Sequence, residues 1–286
     1  MKKTVSKKNS PFFEAWRRLK KNKLSIASLI ILAIIVVMAV FAPVFTTYDY
    51  AKQDLSNMLQ TPNRNHLFGT DNMGRDLFTR ILYGARVSLL ICVAVVAIST
   101  ISGCIVGSLS GYFKTIDLIV QRIVDILASI PTLLLAIALA ASFGVGTANL
   151  IIALGVSYAP GCIRIVRASV LRVREQEFIE AAISVGADNA RIIFTHVLPN
   201  VLSPIIVQST LNVARALISS ATLSFLGLGV PPPSPEWGAM LSAGRNYIQQ
   251  YPHLALFPGV SIIIVTYALN LLGDGLRDAL DPHLKD

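Results

Sequence analysis

The sequence has little charge and few cysteines, and both scarcities narrow the class of protein. Only 14% of its 286 residues are charged, whereas 53% are hydrophobic. A soluble domain has about 25% charged residues, so this chain has too few polar side chains to cover a water-exposed surface, and its composition indicates a membrane protein. The three cysteines (Cys92, Cys104 and Cys162) lie in apolar stretches without a CxxC pair, which argues against a disulfide framework or a metal site.

The net charge of +9 is concentrated at the amino end. Nine Lys and Arg residues and one acid precede Leu24, and the rest of the chain is close to neutral. A basic surface for nucleic acid is therefore not indicated, and we expect no nucleic-acid partner. Under the positive-inside rule, the tail 1–23 is predicted to lie in the cytoplasm.

Long uncharged stretches predict six membrane spans. A bilayer core of about 30 Å requires about 20 apolar residues in a helix. The stretches lie at 24–45, at 87–109, on either side of a Gly-rich turn within 126–163, from 199 to about 223, and from about 255 to 273. The first is too long for a cleavable signal and lacks a small-x-small cleavage site, so we interpret it as a retained helix. The fold class is thus an all-α polytopic membrane protein.

These spans divide the chain into predicted regions. A basic cytoplasmic tail (1–23), a first transmembrane helix (24–45) and an extracytoplasmic loop (46–86) precede a core of five helices (87–273) and a cytoplasmic tail (274–286). Six crossings place both termini in the cytoplasm. Loops 144–149 and 224–254 then face outward, and 110–116 and 164–198 face inward. Five arginines in the 164–198 loop agree with that orientation.

The 164–198 loop is long for a connection between membrane helices and is predicted to fold. Residues 177–185 carry apolar side chains at helical spacing, and Gly186 suits the left-handed position that ends a helix. Asp188 can cap a second helix over 189–197 that Pro199 bounds. The first helix has one apolar side that must be buried, formed by Phe178, Ala181, Ala182 and Val185.

This loop resembles a known motif. Glu180, Ala181 and Ala182, followed by Gly186 and then by Leu198 and Pro199, are similar to the EAA loop of ABC importer permeases, with His196 in place of the general isoleucine. The resemblance implies that these six residues form a coupling helix that docks into a cleft of an ATP-binding subunit. It also implies the fold of a type I ABC importer permease.

Three further motifs occur in register. Residues 66–76 (HLFGTDNMGRD), 223–238 (LSFLGLG, then PP and WG) and 274–282 (DGLRDALDP) resemble the C-type subunit of dipeptide, oligopeptide and nickel permeases. The resemblance covers about residues 10 to 285. Many family members carry a glutamate four residues before the Phe of LSFLGLG, whereas this chain has no acid at 219–222.

The resemblance implies partners as well. These are a second, homologous permease, two ATP-binding subunits that hold ATP and Mg, and an extracytoplasmic binding protein. The chain has no GxxxxGK[ST] loop, so we expect no cofactor in it and no catalytic residues. It is predicted to import dipeptides and oligopeptides through the cell membrane. Nickel or a metal chelate is the alternative cargo. An autonomous secondary transporter is a distant alternative, for which we find no repeat, and Asp117 and Asp125 are the only acids near the centre of a predicted span.

Polar residues in the fifth span are candidates for the translocation path. Gln208, Asn212, Arg215 and Ser219 follow spacings of four, three and four, which places them along one helix face. Intramembrane polar groups face a cavity or another helix, so packing between subunits is the alternative role. Near the third span, Arg122 and Asp125 are expected to form an ion pair. Residues 69–76 are predicted to form a turn that caps the second helix, with local pairing among Asp71, Arg75 and Asp76.

Overall fold

The computed structural model describes residues 16–280, and this part of the chain consists of helices and turns without a strand. Helices of at least eight residues run in chain order as α1 (Lys23–Val40), α2 (Leu77–Ser102), α3 (Lys114–Ala128), α4 (Thr132–Phe143), α5 (Thr147–Arg174), α6 (Glu177–Ser184), α7 (Leu198–Phe225), α8 (Trp237–Gly244) and α9 (His253–Leu280). The predicted all-α fold is confirmed.

Five of these helices (α1, α2, α5, α7 and α9) are long and apolar enough to cross a membrane. A further span, the third in chain order, is broken. Its two parts, α3 and α4, meet at an angle of 88° and count as one span only together. At about 1.5 Å per residue, the 12 residues of α4 are too short to cross a bilayer core alone. The break falls at residues 129–131, where Pro131 cannot continue the hydrogen bonding of α3.

Several predicted helix boundaries are wrong because the helices are longer than predicted. Helix α2 begins at Leu77 instead of residue 87, and α5 continues to Arg174, so that most arginines of the predicted 164–198 loop are helical. Helix α9 continues to Leu280, so residues 274–280 of the predicted tail are helical too. Hydropathy marks where the hydrocarbon ends, whereas a helix continues into the polar interface for as long as its backbone bonds are satisfied. Residues 1–15 and 281–286 of the predicted tails lie outside the described residues.

The first span ends early and the third begins early. Helix α1 stops at Val40, and a separate turn of helix follows at Ala42–Phe45 with Pro43 in its first turn. The predicted third span began at residue 126, inside α3, which is an amphipathic helix that carries Asp117 and Asp125. The search for uncharged stretches therefore found only the α4 half of this broken span.

Helices α2 and α5 approach closely along a row of small residues. Gly103, Gly107 and Gly111 face α5, where a Cβ atom at Gly107 would lie 2.9 Å from the Cβ atom of Val166. A π-helical turn at Gly103–Gly107 continues α2 to Tyr112. Small residues at four-residue spacing allow membrane helices to pack backbone to backbone, and this contact holds α2 and α5 together.

Helix α8 is inserted between the membrane helices and completes the main core. Its Trp237 is 2% exposed and donates a hydrogen bond from Nε1 to the carbonyl oxygen of Ile81, at 3.1 Å. Gly238 lies so near α7 that a Cβ atom there would be 2.4 Å from the Cα atom of Ala221. The segment 226–252, predicted as a loop only, therefore contains a packed helix.

Candidate coupling surface and transport path

Helix α6 lies on the rest of the protein through a different face from the predicted one. Ile179 is fully buried and Ala182 is buried, whereas Phe178, Ala181 and Val185 are exposed. Ala182 is thus the only predicted contact that the structure buries. Both faces of α6 are apolar, so helical spacing alone could not tell which of them contacts this chain.

The buried side of α6 joins a separate hydrophobic cluster at one end of the long helices. Ile179 belongs to this cluster, whose other buried members come from α5, from the end of α2, from the segment that leads into α7 and from α7 itself. They are Tyr112, Val166, Val170, Ile192, Ile193, Val197, Val201 and Ile205. Through this cluster α6 is connected to α2, α5 and α7, and close-packed interiors transmit strain.

Gly186 ends α6 as predicted. Its φ angle is +83°, in the left-handed region that favours glycine. The N–H group of Gly186 donates to the carbonyl oxygen of Ile183 at 2.9 Å, and the N–H group of Ala187 donates to that of Ala182 at 3.1 Å. This pair of bonds is the Schellman motif, and it fixes the direction in which the chain leaves α6.

The second predicted helix of the loop does not end at Pro199. One turn at Asn189–Arg191 passes into a π-helical turn at Ile192–Val197 and then directly into α7. The wider π-helical turn accommodates the missing N–H group of Pro199. Asp188 occupies the N-cap position, although its side chain makes no capping hydrogen bond. Leu198 is half-buried and Pro199 exposed, both in the first turn of α7.

The outer side of α6 presents a mixed surface with no partner within the described chain. We call it the α6 surface, and it consists of the exposed residues Phe178, Glu180, Ile183, Val185 and Phe194. Val185 is 85% exposed and Phe194 is 70% exposed. Exposed apolar side chains flanked by polar residues are typical of a protein contact site. Of the residues that the EAA resemblance singles out, Glu180 belongs to this surface and Gly186 borders it.

The four polar residues on α7 occupy two different environments. Asn212 is buried: it accepts a hydrogen bond from Gln208 at 3.0 Å and donates to the sulfur of Cys162 on α5 at 3.4 Å. Ser219 lies 3.0 Å from the hydroxyl of Tyr158, also on α5. Arg215 is exposed. The structure thus directs Asn212 and Ser219 toward a helix of the same chain and leaves the arginine on an open face.

Two ion pairs join α3 to α5, and neither was predicted. Arg167 binds Asp117 through two nitrogens, with 2.6 Å between Nη2 and Oδ2, and Arg164 binds Asp125 at 2.7 Å. The expected pairing of Asp125 with Arg122 is therefore wrong. The two arginines are three residues apart on α5, as a shared helix face requires, but the sequence could not show that α3 folds back along α5.

The segment before α2 contains the predicted capping turn. Asp76 caps α2 by accepting from the N–H group of Thr79 at 2.7 Å, and it also pairs with His66 at 2.9 Å. Asp71 binds Arg75 at 2.7 Å, as expected, and lies 3.4 Å from Arg80 of α2. The pairing of Asp76 differs from the prediction because His66, ten residues earlier, folds back onto it.

Glu236 is a buried acid that the sequence analysis did not single out. It is fully buried, caps α8 by accepting from the N–H group of Ala239 at 2.8 Å, and accepts from the hydroxyl of Ser88 at 3.3 Å. Burial raises the pKa of this carboxyl above its usual value, and the backbone hydrogen bonds oppose that rise in part. Glutamate is not among the residues that usually cap helices, so no local signal in the sequence identifies this cap.

Two family models match the chain. The family described as "Binding-protein-dependent transport system inner membrane component" matches residues 99–286, and "N-terminal TM domain of oligopeptide transport permease C" matches residues 10–62. The first match includes the α6 surface and every candidate path residue. The second includes α1 and part of the segment before α2.

Curated relatives match over nearly the whole chain. The dipeptide transport system permease protein DppC of Alkalihalophilus pseudofirmus is 49% identical over 96% of this chain and 91% of its own length. The oligopeptide transport system permease protein OppC of Bacillus subtilis is 42% identical over 98% of this chain and 93% of its own. The glutathione transport system permease protein GsiD of Escherichia coli is also 42% identical, over 96% and 92%.

Solved structures agree on the fold. A chain of the MetNI methionine ABC transporter in an inward-facing conformation aligns with a TM-score of 0.59 at 21% identity, covering 71% of this chain and 96% of that one. A chain of an amino acid ABC transporter aligns with a TM-score of 0.55 at 16% identity, covering 70% and 94%. Together with the sequence matches, these findings show that the chain is a multi-pass membrane protein and belongs to the family of binding-protein-dependent transport system inner membrane components, the permeases of ABC importers.

Proposed function

We propose that this chain is one permease subunit of an ATP-driven importer of dipeptides and oligopeptides. The observation that carries the proposal is the α6 surface, an exposed apolar face set on a cluster that reaches α2, α5 and α7. A subunit that moves α6 can thereby move the helices that cross the membrane. The peptide cargo is supported by the relatives, several of which are named for peptide transport.

The partners follow from the same arrangement. Two ATP-binding subunits supply ATP and Mg, and one of them covers the α6 surface of this chain. Glu180 contacts the ATP-binding subunit, and Gly186 fixes the turn through which its movement is transmitted. A second, homologous permease completes the path, and an extracytoplasmic binding protein delivers the peptide. The chain itself performs no catalysis.

The orientation in the cell membrane is part of the proposal. The basic tail 1–23 and the arginines at the end of α5 lie in the cytoplasm, on the same side as α6. The segment 46–76 and helix α8 then face the binding protein. Both termini are cytoplasmic if α3 and α4 together make one crossing.

The polar residues of α7 are proposed to contribute unequally to the translocation path. Arg215 is exposed on this chain and is the residue that can face the path or the second permease. Asn212 and Ser219 hold α7 against α5, Gln208 supports Asn212 through their shared hydrogen bond, and these contacts set the position of Arg215. Intramembrane charge that lacks a partner in its own chain is expected at a functional interface.

The test is transport by the complete complex in proteoliposomes. Labelled dialanine is offered with the binding protein outside and ATP inside the vesicles, and then without ATP. We expect uptake that requires ATP and all subunits. Uptake by this chain alone along a proton gradient would identify a secondary transporter, and ATP-dependent uptake of nickel chelate without uptake of dialanine would identify the alternative cargo. Either result overturns the proposal.

A further inference from the structure

A cavity of about 150 Å³ lies between the segment before α2, the loop after α7 and helix α8. Its charged lining consists of Asp71, Arg75 and Arg80, each of them buried. Two guanidinium groups thus share one carboxylate, and within residues 16–280 no other charged side chain lines this cavity. Buried charges are normally paired, whereas this cluster has two positive charges and one negative charge. The cluster therefore has one positive charge in excess.

Asp71 is engaged mainly by Arg75 and by the backbone, and its contact with Arg80 is longer. Its Oδ2 atom binds Arg75 Nε at 2.7 Å and lies 3.4 Å from Arg80 Nε, and its Oδ1 atom accepts from the N–H groups of Met73 and Arg75. Arg80 finds a further acceptor in the carbonyl oxygen of Tyr50, 2.8 Å from its Nη1. The role of Arg80 is therefore to join this segment to α2.

Arg75 differs from Arg80 in its free donors. Its Nε is bound to Asp71, but within the described chain neither of its terminal nitrogens has a hydrogen-bond acceptor. A guanidinium carries five N–H donors in a fixed fork that matches a carboxylate with two parallel bonds. The part of Arg75 that remains unsatisfied borders the cavity, where an anionic group of matching geometry can bind it.

The space beyond the cavity suits a ligand larger than a carboxylate. A second cavity of about 320 Å³ shares Val230, Pro232, Ala239 and Ala243 with the first, and it extends to Gly227 near the end of α7. Its lining consists of small or apolar residues. A peptide of two or three residues can place its carboxyl end against Arg75 and its remaining residues in the second cavity.

We infer that the two adjoining cavities form an entry subsite in which Arg75 binds the terminal carboxylate of the transported peptide. The inference rests on the proposed function, since it requires that the chain transports peptides. The loops that build the subsite are those assigned to the extracytoplasmic side, where the peptide arrives. An acidic side chain of the binding protein could also reach Arg75, and the experiment separates the two sources.

The experiment compares trialanine with trialanine amide in the complete complex with its binding protein. The affinity of the isolated binding protein for each peptide is measured first, and uptake is then recorded with the binding protein saturated. The variant is Arg75→Gln, and the matched control is Arg64→Gln, which alters an exposed arginine of the same segment. Complex assembly is verified by size-exclusion chromatography for each variant.

We expect Arg75→Gln to lower trialanine uptake by about tenfold, the scale of a lost charge-assisted pair, and to leave uptake of the amide unchanged. Arg64→Gln should change neither. Ala243→Leu narrows both cavities without touching the arginine, and it should lower uptake of both peptides. This second variant tests the site even if Arg75→Gln does not assemble.

Three results would overturn the inference. Equal losses for the two peptides would assign Arg75 a structural role, and weaker docking of the peptide-free binding protein would assign it to that contact. Full trialanine uptake in Arg75→Gln, or in Ala243→Leu where Arg75→Gln does not assemble, would exclude the subsite. If the parent complex transports neither peptide, the proposed function itself fails, which is a distinct outcome.

Discussion

The hydroxyl of Tyr112 donates a hydrogen bond to the side-chain oxygen of Asn189 at 2.9 Å and so connects the end of α2 to the turn that follows α6. Arg174, at the end of α5, donates to the carbonyl oxygen of the same Tyr112 at 2.9 Å, and its guanidinium lies 5.6 Å from the tyrosine ring. Three elements therefore meet at one side chain beside the α6 surface.

Removing the hydroxyl of Tyr112 should weaken the coupling of ATP hydrolysis to transport more than it destabilises the fold. Tyr112→Phe keeps the ring in the cluster and removes one hydrogen bond, a net loss of about 1 kcal/mol. We expect more ATP hydrolysed per peptide transported, measured in the reconstituted complex. Tyr83→Phe, in α2 but far from α6, is the control. Unchanged coupling in Tyr112→Phe together with Asn189→Ala would contradict the role of this contact.

Few residues other than glycine should be tolerated at position 186. The reason is the left-handed backbone conformation there and not a lack of space. Nothing lies within 4 Å of a Cβ atom built there, but its φ angle is +83°, and a left-handed backbone costs about 1–2 kcal/mol for other residues. Gly186→Ala should lower the melting temperature of the complex, and Gly186→Asn should lower it less. Gly161→Ala, at an equally open helical site, should not lower it. Equal effects of the two alanine variants would contradict this explanation.

The contact between α2 and α5 should not accept a side chain at Gly107. In Gly107→Val the new Cβ atom would overlap Val166 and the carbonyl oxygen of Ile163, and overpacking costs about 1–3 kcal/mol. Thermal unfolding of the purified complex should show a lower melting temperature. Gly259→Ala serves as the control, since the nearest atom there is at an ordinary 3.7 Å. A stable Gly107→Val protein would show that the helices are less tightly packed.

Glu236 should make the complex less stable as pH rises. Burial raises the pKa of this carboxyl in the folded state, so its favourable contribution is present below the unfolded-state pKa and is lost as pH rises through the folded-state value. Glu236→Gln should therefore raise the melting temperature relative to the parent more at pH 8 than at pH 5. The same difference at both pH values would show that the carboxyl does not titrate in this range.

The sequence predicted the membrane fold, Gly186 as the end of α6, and the capping turn before α2. Each of these depends on local chemistry, such as a run of apolar residues, a position that needs glycine, or an Asp at a helix start. The sequence did not predict which face of α6 is buried. Ile179 and Phe178 are both apolar neighbours, and only the packing against Val170 and Ile192 decides between them.

Long-range contacts account for the remaining errors. The pairs Asp117–Arg167 and Asp125–Arg164 join residues 50 and 39 positions apart, so their formation depends on the bend between α3 and α4. The burial of Glu236 likewise depends on α8 reaching Ser88 on α2. Spacing along one helix contains no information about a neighbour from a distant part of the chain.

The central claim is that one ATP-binding subunit docks on the α6 surface, and its most direct measurement is the number of ATP-binding subunits that co-purify with the tagged permease. Val185→Asp combined with Phe194→Asp places two charges at highly exposed positions of that surface, and Leu67→Asp does the same at an exposed position before α2. We predict that the double variant assembles with the second permease but loses the ATP-binding subunit that covers this surface, while Leu67→Asp retains both ATP-binding subunits. Retention of both ATP-binding subunits by the double variant would contradict the claim.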